Sequence, residues 1–359
     1  MDESVLHVSS KSRSVVGLES EAVIAGSIAA GVGAIFGAIV FAGTNPTIWG
    51  GFSLGLGSAI AVLVLSIVTS YVGYWRSRHL PGQEWRQHIS SWKFILDATT
   101  VAAVHSVIAG IATIVTFILL QMSFQGLRVD GWTSVVGVAA ATGLTSYYIY
   151  LSVSRINTSK MAGLLVIFMT VAVLTSMATA QDPLWWEYHF SQLGTFDDRS
   201  SGLFNITLII AGGLVTTFAL YLYRDIEALF AAGVLAHRWA ARAISVTFII
   251  MGIMLAGVGA FPVDVNLVIH NTSAIGMAVS FLLILISSPW VLKGMPWTFF
   301  AVSGGFLAGM LLAVYLFAVT QYFNLTAFEL VAFVIIFGWI STFIRFLSAT
   351  VEQTAEVQR

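Results

Sequence analysis

The chain of 359 residues has no cysteine. Disulfides, iron–sulfur clusters, thiolate catalysis and thiol ligation of metals are therefore excluded. Charge is scarce too. Asp, Glu, Lys and Arg make up 9% of the chain, against about 25% in a soluble domain, so water is not its main solvent. The formal net charge of -1 provides no electrostatic footprint for nucleic acid, and no nucleic-acid partner is expected. Proline occurs only 6 times, which leaves long stretches free to remain helical.

Apolar residues, at 58%, fill the space those absences leave. They gather into about ten runs of roughly 20 residues, the length that crosses a hydrocarbon core of about 30 Å as a helix. The runs lie near 22–42, 50–73, 95–121, 132–153, 161–180, 202–223, 242–261, 267–289, 298–319 and 327–348. A membrane β-barrel would instead alternate apolar and polar residues over about 10 positions. Backbone polar groups find no water in hydrocarbon, so the runs are expected to be helices. The expected fold class is all-α: a polytopic membrane helix bundle of about ten transmembrane helices.

If the chain starts inside, only Arg128 and Arg199 of its 16 Lys and Arg fall on the outer side. This bias predicts a cell-membrane protein with both termini cytoplasmic. The first 20 residues lack the basic start, apolar run and cleavage site of a secretory signal, so the first helix is expected to direct insertion and be retained. The expected organisation is a cytoplasmic tail over 1–21, a two-helix module with a basic loop over 22–93, two further helices over 94–160, a six-helix bundle over 161–348 and a tail over 349–359. The basic loop, with Arg76, Arg78, Arg86 and Lys93, fits topology setting and contact with anionic lipid. Small residues at Gly26, Ala30, Gly33 and Gly37 share one helix face and predict close helix packing. Gly212–Gly213 and Gly304–Gly305 suggest the same in later spans.

Ionisable residues inside spans are costly and usually functional. No lysine lies within a span, which excludes a retinal Schiff base, and no haem is expected. His105 sits near mid-membrane, without a second histidine at its depth to complete a haem pair; a hydrogen bond to Ser106 or to a neighbouring helix is expected instead. Asp97 and Glu329 stand at span starts, where each is expected to reach for the membrane surface.

Three polar elements converge on one membrane face. They are the loop Glu187 to Asp198 with nearby Asn205, the turn 261–266 containing Asp264, and His270 with Asn271, Thr272 and Ser273. The candidate ligand-binding residues are His189, Ser191, Asn205, Asp264 and His270. His189, Asp264 and His270, with Glu187 or Asp198, offer nitrogen and oxygen donors for a metal. His270 with Asp264 offers an oriented general base, and Ser191 or Ser273 a nucleophile. Hydrogen bonding to a lipid head group needs no chemistry at all. No HExxH or GxSxG pattern points to an enzyme.

The residues Phe190-Ser191-Gln192-Leu193-Gly194, Gly202-Leu203-Phe204-Asn205 and Gly259-Ala260-Phe261-Pro262, with His270 and Ala274, resemble an uncharacterised prokaryotic membrane family, domain of unknown function 998. That family is distantly similar to the FRAG/DRAM/SFK-type six-helix membrane proteins. The resemblance covers about 161–348 and leaves the first four spans outside. It implies a six-helix bundle with its polar cluster on the outer face, and an association with lipids.

Together these readings predict an integral membrane protein that binds, and in one version modifies, a lipid or other amphipathic molecule at the outer leaflet. A transporter of a small or amphipathic solute and a non-enzymatic subunit or assembly factor of a membrane complex are the alternatives. Membrane lipids are the expected partners, and protein partners or an oligomer are compatible with the sequence.

Overall fold

The computed structural model describes residues 3–80, 83–195 and 199–357, with side chains described from residue 16 onward except at 199 and 357. Among these residues ten helices are long and apolar enough to cross a membrane, and no β-strand occurs. They are α1 (Glu3–Phe41), α2 (Leu54–Ser77), α3 (Ser91–Ser123), α4 (Gly131–Ser154), α5 (Thr158–Thr179), α6 (Arg199–Ala231), α7 (Trp239–Ala260), α8 (Leu267–Val291), α9 (Trp297–Ala318) and α10 (Leu325–Val357). Helices α1, α3, α6 and α10 outrun their apolar segments, because polar ends continue the backbone ladder beyond the hydrocarbon.

The chain divides into two compact units, Met1–Ile156 and Asn157–Arg359. In the first unit, α1 lies along α4. Lipid tails are as apolar as leucine, so helices here associate through close packing and polar contacts. The small-residue face of α1 supplies both. A Cβ on Gly26 would come within 2.9 Å of the Gly143 carbonyl, and one on Gly37 within 3.1 Å of Val135 Cα. Thr142 fills the notch at Gly33, and its hydroxyl donates to the Ala29 carbonyl at 3.1 Å.

Two residues of this unit depart from expectation. Arg86, read as part of a lipid-facing basic loop, is buried. Its Nη1 donates to Ser77 Oγ at 2.6 Å and its Nη2 to the Ile156 carbonyl at 3.1 Å. Its guanidinium lies 4.5 Å from the Tyr74 ring centroid, so this arginine staples the α2–α3 loop to the end of the unit. Asp97 is buried as well, where a surface-reaching carboxylate was expected. His105 bridges helices: Nδ1 lies 2.8 Å from the Val101 carbonyl, and Nε2 lies 3.0 Å from Ser152 Oγ on α4.

In the second unit, α6 and α7 cross at Gly212 and Gly252. A Cβ on Gly212 would sit 2.4 Å from the Gly252 carbonyl, so neither position has room for a side chain. Gly304 and Gly305 face open space, and the packing role expected of them is not what they do. Aromatic rings fill the core instead. Trp339 stacks on Phe343 at 5.3 Å and meets Phe281 edge-on at 5.6 Å. Its indole N–H donates to Ser303 Oγ at 3.0 Å, which satisfies the one polar atom that burial would otherwise strand.

Candidate functional site

The segment between α5 and α6 folds into two 3-10 turns, Trp185–Glu187 and Phe190–Gly194. The second turn is a plug. Phe190 and Leu193 are buried. The Phe190 ring meets Phe204 of α6 at 5.2 Å and Phe333 of α10 at 5.8 Å. A buried turn exposes backbone polar groups to an apolar setting, and each must find a partner.

Partners for this turn, two on its backbone and one on the Ser191 side chain, come from three different helices. Glu329 Oε2 of α10 accepts a hydrogen bond from the Phe190 N–H at 2.5 Å. Asn205 Nδ2 of α6 donates to the Gly194 carbonyl at 2.8 Å. Nε2 of His270, on α8, lies 3.1 Å from Ser191 Oγ. A fourth contact, from Asn324 Nδ2 to the Trp186 carbonyl at 3.0 Å, ties the first turn to the residue that caps α10.

His270 is buried one turn into α8, a helix capped by the Asn266 side chain. Its Nδ1 lies 2.9 Å from the Phe261 carbonyl. A carbonyl only accepts, so Nδ1 carries a proton. In the neutral ring Nε2 is then the acceptor of the Ser191 hydroxyl. The orienting group is therefore a backbone carbonyl and not Asp264, which is exposed in the turn and joined to neither histidine. His189 is half-buried beside this pair. Partial burial, with the electrostatic influence of the nearby His270 ring as the lesser cause, holds its imidazole below the ordinary histidine range.

The structure thus brings Ser191, His270 and His189 together, spends Asn205 on Gly194 and leaves Asp264 at the surface. Glu187 is exposed, and Asp197 and Asp198 lie outside the described residues. Among the described residues no three His, Asp or Glu are grouped to hold a metal ion. Glu329 belongs to this network although the sequence alone suggested only a surface-reaching carboxylate. Its signal was present: an acidic residue near the start of an otherwise apolar span.

Residues 161–345 match the model of a family described as a protein of unknown function, DUF998. That span exceeds half of the chain. This protein belongs to the DUF998 family. The match lies entirely within Asn157–Arg359 and contains every residue of the network, so the network is part of what the DUF998 region encodes. The four helices of Met1–Ile156 lie outside it. With ten apolar helices among its described residues, this DUF998 protein is a multi-pass integral membrane protein. No curated protein and no solved structure matches the chain.

Proposed function

We propose that this protein binds an amphipathic molecule, with the polar head held at the loop-bearing end of the second unit by His189, Ser191 and His270. One observation carries the reading: a buried imidazole engaged at both nitrogens stands against a half-exposed serine and a second, half-buried imidazole. Trp186 and Tyr188 of the same loop are exposed, and so are Val265, Leu267 and Val268 beside His270. Such residues suit the zone where a lipid's head meets its chains. The positive-inside bias favours the outer leaflet of the cell membrane for this end, with both termini cytoplasmic. Asn205 acts indirectly, by holding the plug, and Asp264 offers an exposed carboxylate at the rim.

The test is to extract the full chain in a lipid-preserving scaffold and identify its co-purifying small molecules by mass spectrometry. The wild type is expected to retain a specific amphipathic species that Ser191→Ala and His189→Gln lose. Identical profiles for all three proteins would end the proposal.

One feature favours a second reading, in which the site modifies its ligand. With Nδ1 committed to Phe261, Nε2 is placed to take the Ser191 proton, the arrangement that activates a hydroxyl nucleophile. A fluorophosphonate probe tests it. Labelling at Ser191 that disappears in His270→Gln supports chemistry; a serine that never labels leaves binding alone.

A further inference from the structure

A cavity of about 820 Å³ opens between α6 and α7 at the other end of the second unit. Helix α6 begins beside the plug and α7 ends at the Phe261 turn, so Ala231 and Trp239 mark the opposite end. Tyr223 and Glu227 of α6, and Arg238, Trp239, Arg242 and Val246 from the start of α7, line the cavity. Among the described residues neither Arg238 nor Arg242 makes an ion pair or a hydrogen bond, although Glu227 shares the cavity.

The backbone that presents these arginines is fixed. The Ala236 N–H donates to the Lys293 carbonyl at 3.0 Å, which ties the α6–α7 loop to the α8–α9 connection. Gly294, at φ +120, lies so close to the Val234 carbonyl that a Cβ would come within 1.9 Å of it. His237 stacks on Trp239 with ring centroids 5.4 Å apart.

Below the arginines the same face of α7 continues as apolar surface. Trp239, Val246, Ile250 and Ile253 are all exposed, at spacings that align along one side of the helix. Two unengaged guanidiniums at the membrane boundary, flanked by Trp and Tyr and followed by an apolar stripe, match the order of charges and chains in a phospholipid. Guanidinium forks suit phosphate oxygens, and basic pockets between transmembrane helices hold anionic head groups. We infer that the α6–α7 cavity binds an anionic phospholipid, with its phosphate on Arg238 and Arg242 and its chains along α7. This site is separate from the Ser191–His270 cluster and does not depend on the function proposed there.

The experiment uses the full chain in nanodiscs containing equal parts of phosphatidylglycerol and phosphatidylcholine with identical acyl chains, read by native mass spectrometry. The wild type should retain phosphatidylglycerol preferentially, and the preference should fall with salt. Replacing each arginine by glutamine should weaken retention about fivefold, additively in R238Q/R242Q. Arg345 on α10 is exposed and lies outside the cavity; R345Q should behave as wild type. E227Q, which removes the opposing carboxylate, should retain more phosphatidylglycerol, a gain that damaged folding would not give. Equal loss in R345Q, unchanged retention in R238Q/R242Q or loss in E227Q would each overturn the inference. So would inorganic phosphate displacing the lipid at millimolar concentration, because the site would then recognise the free ion.

Discussion

Glu329, near the start of α10, accepts the backbone N–H of Phe190 at 2.5 Å across 139 residues of sequence. The last helix of the chain thereby holds the loop that follows α5. Glu329→Ala leaves that partly buried N–H without an acceptor and is expected to destabilise the protein by about 1–3 kcal/mol. Thermal unfolding in detergent measures the loss. Limited proteolysis should show faster cleavage within 181–195, and unchanged cleavage there would mean that the plug does not need this carboxylate.

Gly194 and Asn205 should couple. A Cβ on Gly194 would meet Asn205 Oδ1 at 2.4 Å, while Asn205 Nδ2 donates to the Gly194 carbonyl. Gly194→Ala alone is expected to cost about 1–3 kcal/mol by overpacking. Asn205→Ala removes the clashing atom, so the double variant should be more stable than the two separate losses imply. A double-mutant cycle of unfolding midpoints reads the coupling, and strict additivity would show the two side chains to be independent.

The glycines of α6 and α9 make opposite predictions. Gly212→Ala drives a methyl group against the Gly252 carbonyl and the Ala256 N–H and should separate α6 from α7. Gly304→Ala meets nothing within 4 Å and should stabilise α9 by up to about 1 kcal/mol through reduced backbone freedom. Unfolding temperatures of the two variants should shift in opposite directions.

His189 makes stability depend on pH. Its folded-state value lies below the ordinary histidine value, chiefly because the ring is partly buried. Between the two values the unfolded chain binds more protons, so stability rises with pH through that window and is level above it. His189→Gln should flatten the slope at mildly acidic pH. An unaltered profile of unfolding midpoint against pH would assign the slope to another group.

His105 and Ser152 provide an internal control for His270 and Ser191. Both histidines place Nδ1 on a backbone carbonyl and Nε2 on a serine hydroxyl, at 3.0 Å in the first pair and 3.1 Å in the second. In the first unit both partners sit on regular helices, with Ser152 in the last turn of α4, whereas Ser191 sits on a loop turn. A fluorophosphonate should therefore label Ser191 and leave Ser152 untouched if the second site is chemically active. Labelling of both would make the pair geometry, and not its location, the source of reactivity.

Much of the fold could be read from the chain. The ten long helices among the described residues follow the apolar runs, because a helix satisfies its own backbone locally and hydrocarbon permits little else. The small-residue face of α1 was legible for the same reason, since spacing along one helix fixes which residues share a side. Gly304 and Gly305 carry the same local signal but meet no neighbour, because a face says nothing about what lies opposite. The candidate site was legible in part. His270 and Ser191 stood out as polar residues near span ends. Asp264 stood out equally but is exposed and bonded to neither, and nothing local to Glu329 names its partner on the loop.

Composition and hydrophobic run length determined the solvent, the helical class and the segments long and apolar enough to cross a membrane, because these depend on each segment's own contact with lipid. The DUF998 pattern was likewise carried by short local sequence. Tertiary structure alone decided that Glu329, Asn205 and His270 converge on one buried turn and that Arg86 faces inward. It also decided that Arg238 and Arg242 share a cavity with Glu227. Each of these arrangements depends on which helices become neighbours. A lone polar side chain finds its partner only after the packing of distant segments has fixed where the remaining donors and acceptors lie.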